Sequence, residues 1–246
     1  MDKKIRITAH DGGKFDGYHF PSPTSPRPGL IMIPEIFGVN QPLREAAQRF
    51  ADHGYTVLLL DIFWRLAPNI ELGYDKASYK EAFAYHEAFD YDVGVLDMQA
   101  GIDHLRAREE CSGTVGVVGF CLGGTMAYLA AARCDSEAAV GYYGTRIQNF
   151  LDNAASIERP LILHFGEIDH TTPPEIMAQI LPAIEPNPHI TNYIYKSAGH
   201  AFANHRRADT YQAEVTHEAD ARTFAFFDKW LETTNETKGF SKDQYI

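Results

Sequence analysis

Six short, continuously apolar runs constrain the fold of this chain more than any other feature. They are LIMI (Leu30 to Ile33), TVLLLD (Thr56 to Asp61), VGVVGF (Val115 to Phe120), AVGYYG (Ala139 to Gly144), LILHFG (Leu161 to Gly166) and ITNYIY (Ile190 to Tyr195). A strand with one wet face alternates apolar and polar residues. A continuous run needs burial on both faces, which points to a parallel sheet covered by helices. The intervening segments carry a helical period: Leu122, Met126 and Leu129 step i, i+4, i+7, and Phe224, Phe227 and Leu231 step i, i+3, i+7. Ahead of the runs, IRITA (Ile5 to Ala9) and FDGYHF (Phe15 to Phe20) flank HDGGK and predict an opening hairpin. PSPTSPRPG (Pro21 to Gly29) is too rich in proline for regular structure and is expected to be a connector. The expected fold is a mostly parallel, doubly wound α/β sheet with an N-terminal antiparallel hairpin. It forms one domain over residues 1–246, with a polar tail from about residue 233.

A chain of 246 residues can bury a large core without disulfide or metal staples. Its net charge of −11 and the lack of a basic run argue against nucleic acid as a partner. No stretch of about 18 apolar residues occurs, and the charged, alternating start MDKKIRITAHDGG does not read as a leader. Cys111, Cys121 and Cys134 form no CxxC pair and are odd in number, as expected of free thiols in a reducing compartment. The expectation is a cytoplasmic protein with a small-molecule substrate, no membrane partner, no metal and no cofactor.

In a doubly wound sheet, ligands sit beyond the C-terminal ends of the strands. Cys121 directly follows VGVVGF, with a helix expected from Leu122 and with Gly119 and Gly123 on either side, as a strained strand-to-helix turn requires. Asp169 follows LILHFG by a short loop, and His200 follows ITNYIY in AGHAF. Each has a plain alternative: a small core residue, a turn-former, one of eleven histidines. Together they stand at three strand ends in the chain order nucleophile, acid, histidine, which is the α/β-hydrolase order. Glu35, in MIPEIFGVN, ends the first central strand, in the loop where such enzymes supply an oxyanion N–H. It is a candidate partner for the thiol.

With EIFGVN, GFCLGG, GYYG, GEIDH and AGHAF in that order, the chain resembles the dienelactone hydrolase (carboxymethylenebutenolidase) family from Ile5 to about Leu231. The resemblance implies an α/β-hydrolase fold with a Cys121–His200–Asp169 triad, in which Glu35 holds the resting thiol until substrate enters. It also implies an oxyanion hole from the N–H groups of Ile36 and Leu122, and a pocket lined by Phe37 and Tyr142. Two arginines that bind the substrate carboxylate in the family are replaced here by Tyr79 and Asn204. His205, Arg206 and Arg207 follow at once. A solvated surface cluster is the expectation for them, and a cation turned into the pocket is the alternative.

Helix N-termini favour thiolates, and a histidine can take the thiol proton while an aspartate sets its tautomer. A thiolate is a good leaving group, so it would be expelled from a tetrahedral intermediate before a poor leaving group departs. The expected reaction is therefore hydrolysis of lactones or activated esters, with little action on amides. Alternatives are the same triad acting on a different small ester, or a non-catalytic ligand-binding relative. A monomer or weak homo-oligomer is expected.

Overall fold

The computed structural model describes residues 3–232. The polar tail expected from about residue 233 lies outside the described residues. Among these residues eight strands form one sheet: β1 (Lys3–Thr8), β2 (Lys14–Phe20), β3 (Arg27–Ile33), β4 (Thr56–Leu60), β5 (Cys111–Phe120), β6 (Ala139–Tyr142), β7 (Leu161–Gly166) and β8 (Ile190–Tyr195). Their spatial order is β1-β2-β4-β3-β5-β6-β7-β8. β1 pairs antiparallel with β2, and β2 antiparallel with β4. All other pairings are parallel. The hairpin therefore caps one edge of an otherwise parallel sheet, as the two periodicities predict.

Among the described residues, six α-helices flank the sheet: α1 (Gln41–His53), α2 (Lys76–Ala88), α3 (Tyr91–Arg106), α4 (Leu122–Arg133), α5 (Pro174–Ile184) and α6 (Ala213–Phe227). Burial of both sheet faces can be followed residue by residue. A side chain at Gly29 would meet Leu105 of α3, while the next residue, Leu30, lies against Gly116 together with Phe227 of α6. Leu30 to Ile33 and Val57 to Leu60 are fully buried in consequence. α2 and α3 begin on capping aspartates, Asp75 and Asp90, whose carboxylates accept the first free N–H groups. The period ending at Leu231 runs past α6 into a π-helical turn, Asp228–Glu232, that still buries Leu231.

The proline-rich connector is shorter than expected. β3 begins at Arg27, whose N–H donates to the Glu110 carbonyl, and a register shift between Arg27 and Gly29 accommodates Pro28. Proline cannot donate to a ladder but is tolerated where the pairing is irregular. Pairing with a strand some eighty residues away extends β3 into a segment whose local composition says loop. No helix among the described residues is long and apolar enough to cross a membrane.

The chain leaves β3 toward β4 on one side and later returns to β5 on the other. This reversal leaves a crevice beyond the C-terminal ends of β3 and β5. Glu35 and Cys121 stand on its two sides.

Candidate active site

Cys121 occupies the turn between β5 and α4 at φ 57°, ψ −116°. Such a backbone costs about 1–3 kcal/mol and persists only where the surroundings impose it. They do so here through close backbone packing. A Cβ on Gly119 would lie 1.8 Å from the Gly123 carbonyl oxygen, and one on Gly123 would lie 2.3 Å from the Ile33 oxygen. The Cys121 N–H donates to the Tyr142 carbonyl at 3.0 Å, tying the turn to the end of β6. Leu122 is the first residue of α4, so its N–H has no helical acceptor. In the opposing loop, Gly38 and Val39 donate to Glu35 and Ile70, bonds that do not use the Ile36 N–H. The two N–H groups expected to form an oxyanion hole are thus left out of these turn and helix bonds.

His200, in the loop after β8, meets the Asp169 Oδ2 through Nδ1 at 2.8 Å. Thr171 braces the acid: its N–H and hydroxyl donate to Asp169 Oδ1 at 2.8 and 2.7 Å. Burial by itself would raise the Asp169 pKa, but hydrogen bonds from His200 and Thr171 outweigh it and hold the carboxyl low. Burial works against a charged His200, but the hydrogen-bonded Cys121 sulfur and Asp169 outweigh it and raise the imidazole. The three groups form one line, Asp169–His200–Cys121, and each is buried.

Glu35 is 2% exposed. Burial raises its pKa against the opposing influence of His200, Arg207, Asn204 and Tyr143. Its carboxylate oxygens accept from two neutral donors, Oε1 from the Tyr143 hydroxyl at 3.2 Å and Oε2 from the Asn204 amide at 2.9 Å. Among the described residues no hydrogen bond links Glu35 to the thiol. Each carboxylate oxygen keeps a second acceptor site beside these donors.

A cavity of about 300 Å³ opens onto this line, and Cys121, Glu35, Ile36, Phe37, Tyr79 and Arg207 all face it. Tyr142, expected in the lining, does not. It is fully buried, and its hydroxyl donates to Asp220 of α6 at 2.9 Å and meets Thr223, which also contacts His164. The neighbouring tyrosine of the GYYG stretch takes the inward position. Tyr143, at φ 39°, leaves the strand and turns edge-on to His200, 5.2 Å between ring centroids.

Asn204 stands behind Glu35 rather than in the cavity, bridging it to the Tyr74 hydroxyl at 2.7 Å. The three residues after it divide. His205 and Arg206 both pair with Glu45. Arg207 turns inward with its side chain 11% exposed, and its guanidinium lies over the rings of Tyr74 and Tyr79 at 5.6 and 5.7 Å. Tyr79 is itself edge-on to Phe37. The expected surface cluster therefore holds for two of the three positions and fails for Arg207, which finds an aromatic platform. Sequence reasoning missed Tyr143, Thr171, Arg146 and His86. A hydroxyl two residues after the acid is the signal that could have found Thr171. Arg146 and His86 also line the cavity, and burial lowers the His86 pKa to about 4, which keeps that imidazole neutral.

The sequence model of the dienelactone hydrolase family matches residues 15–231. The chain is 35% identical over 238 residues to a putative carboxymethylenebutenolidase of Azospirillum brasilense, covering 92% of this chain and 98% of that protein. It is 34% identical over 204 residues to a carboxymethylenebutenolidase of Pseudomonas putida, covering 82% and 86%. Among solved structures, a putative dienelactone hydrolase from Klebsiella pneumoniae has the same fold, with a TM-score of 0.83 at 23% identity over 94% of this chain and 99% of that one.

Proposed function

The chain belongs to the dienelactone hydrolase family, and on that premise we propose that it is a cysteine-dependent hydrolase of lactones or activated esters, acting through a thioester acyl-enzyme. The observation that carries this reading is the Asp169–His200–Cys121 line at the floor of a cavity flanked by two N–H groups left out of the turn and helix bonds. The Cys121 sulfur attacks the carbonyl carbon, and the oxyanion is met by the N–H groups of Ile36 and Leu122. Collapse of the intermediate breaks the C–O bond, and the imidazolium of His200 gives its proton to the departing alkoxide or enolate. The neutral imidazole then takes a proton from water, which attacks the thioester and releases the acid and the sulfur.

Specificity rests on Arg207. The family's carboxylate-binding arginines are absent at Tyr79 and Asn204, yet Tyr79 forms part of the platform on which the Arg207 guanidinium lies. A substrate carboxylate entering the cavity therefore meets Arg207 from a different position, with Arg146 also in the lining. A second reading, a neutral small ester, is favoured by the loss of the two arginines.

A panel of lactones and aryl esters, with and without a carboxylate, tests both readings on wild type and Cys121→Ala. The expected result is a preference for carboxylate-bearing lactones, an acyl adduct on wild type by intact mass, and no turnover by Cys121→Ala. Full turnover by Cys121→Ala would overturn the cysteine mechanism. A preference for neutral esters would favour the second reading.

A further inference from the structure

We propose that Arg146 forms a second anion subsite at the end of the cavity opposite Arg207, so that the pocket takes a substrate carrying one carboxylate on each side of its scissile ester bond. The inference rests on the hydrolase reading above and adds to it the charge pattern of the substrate.

The helix α2 runs the length of the cavity. It brings Tyr79, Phe83 and His86 to the lining, at i, i+4 and i+7 on one helix face. Arg207 lies over Tyr79 in the first turn, and Arg146 pairs with Glu87 in the last. Tyr79 and Glu87 are eight residues apart, which is about 12 Å of helical rise. Cys121 stands between the two ends. Its sulfur acts electrostatically on Tyr79 at one end and, at the other, on Tyr91, which also faces Arg146. The rings of Phe37, Tyr79 and Phe83 give the cavity an apolar middle. An apolar chain with acidic ends matches such a lining.

The Arg146 end is open to a ligand. The guanidinium donates through one nitrogen to Glu87, whose side chain is 68% exposed. A guanidinium carries five N–H donors, and so wet an ion pair holds its partners weakly. A second carboxylate can therefore share the cation or displace Glu87. Gln148 also lines the cavity, and its Oε1 is buried without a partner among the described residues. Its carboxamide is thus free to turn the NH2 group toward an anion. His86 meets the Tyr91 hydroxyl through Nε2 at 3.0 Å. Burial and the Arg146 charge hold that imidazole neutral, so Arg146 supplies the positive charge. A plain surface ion pair would account for Glu87, but not for the cavity position of Arg146 beside an unpartnered amide.

The test is equilibrium binding of adipate and hexanoate to the full chain, by titration calorimetry. The two ligands share a chain length and differ by one carboxylate. Neither contains an ester, so binding is read apart from turnover. Wild type is expected to bind adipate about tenfold more tightly than hexanoate, the scale of one charge-assisted hydrogen bond at a partly exposed site. Arg146→Gln should bring adipate to the level of hexanoate and leave hexanoate within about twofold of its wild-type value. Glu87→Gln removes the competing carboxylate and should tighten adipate by about threefold, with hexanoate again within about twofold. A merely structural role for the pair predicts the same loss with both ligands in both variants. Equal wild-type affinity for the two ligands, or an equal change for both in Arg146→Gln, overturns the proposal. Turnover is scored separately: if adipate binds as expected and no ester is cleaved, it is the hydrolase reading that fails.

Discussion

Replacing Asp169 by asparagine tests the catalytic line most sharply, because the structure dictates how the amide must sit. Asp169 Oδ1 accepts from the Thr171 N–H at 2.8 Å and from its hydroxyl at 2.7 Å. The asparagine oxygen must therefore take that place, since a buried backbone N–H left without an acceptor costs about 1–3 kcal/mol. Its NH2 group then faces His200 Nδ1, which at present lies 2.8 Å from Oδ2. Two donors cannot face each other, so the imidazole is driven to the tautomer protonated at Nε2. That tautomer can donate to the sulfur but cannot take a proton from water. The imidazolium also loses a charge-assisted hydrogen bond of about 1.5–3 kcal/mol, equivalent to one to two pH units. The expected loss is about 10²- to 10⁴-fold in turnover, in the range seen when an acid that orients a catalytic histidine is neutralised. Deacylation should suffer most, because it needs a neutral histidine acting as base. Rapid-quench measurement of acyl-enzyme formation and decay on an aryl ester separates the two steps. The thioester should accumulate in Asp169→Asn. If decay stays within about threefold of wild type in a folded variant, the assignment of Asp169 is wrong.

Other consequences are open to direct measurement. Gly119→Ala puts a Cβ 1.8 Å from the Gly123 oxygen, so the turn must open by more than about 1 Å. A displacement of that size at the reacting atom should lower activity about 100-fold even in molecules that fold, and urea melts should show a loss of about 3 kcal/mol or more. Arg207→Gln should raise KM for a carboxylate-bearing lactone by about ten- to a hundredfold while changing a neutral ester by less than about twofold; equal effects on both would rule out a carboxylate contact. Glu35 binds its proton more tightly folded than at its ordinary value of 4.5, because burial opposes its charge. It therefore takes stability away as pH rises above 4.5, up to and through the folded value. Glu35→Gln should gain stability over the parent as pH is raised toward neutrality and gain none below pH 4, measured by urea unfolding at several pH values. Asp169 has the opposite sign: its lowered pKa contributes stability above its ordinary value of 3.8 that is lost as pH falls through the folded value.

The amino-acid sequence by itself determined the sheet and the strand-end positions of the groups proposed to react. Continuous apolar runs report burial on both faces, and burial is a local property that every strand writes into its own residues. A residue just past such a run stands at a strand end, which is why Cys121, Asp169, His200 and Glu35 could be placed without coordinates. Which side chain then points into the site was decided only by tertiary structure. Tyr142 and Tyr143 are adjacent and identical, and nothing in the sequence says which one meets Glu35. Arg207 is the third residue after Asn204, and nothing local separates it from His205 and Arg206. The difference lies with Glu45 of α1, which takes two of the three, and with the rings of Tyr74 and Tyr79, which take the other. The same holds for Glu35, whose carboxylate accepts from Asn204, a residue 169 positions away. Partners so distant in the chain leave no periodic trace, because their meeting is set by the packing of whole elements.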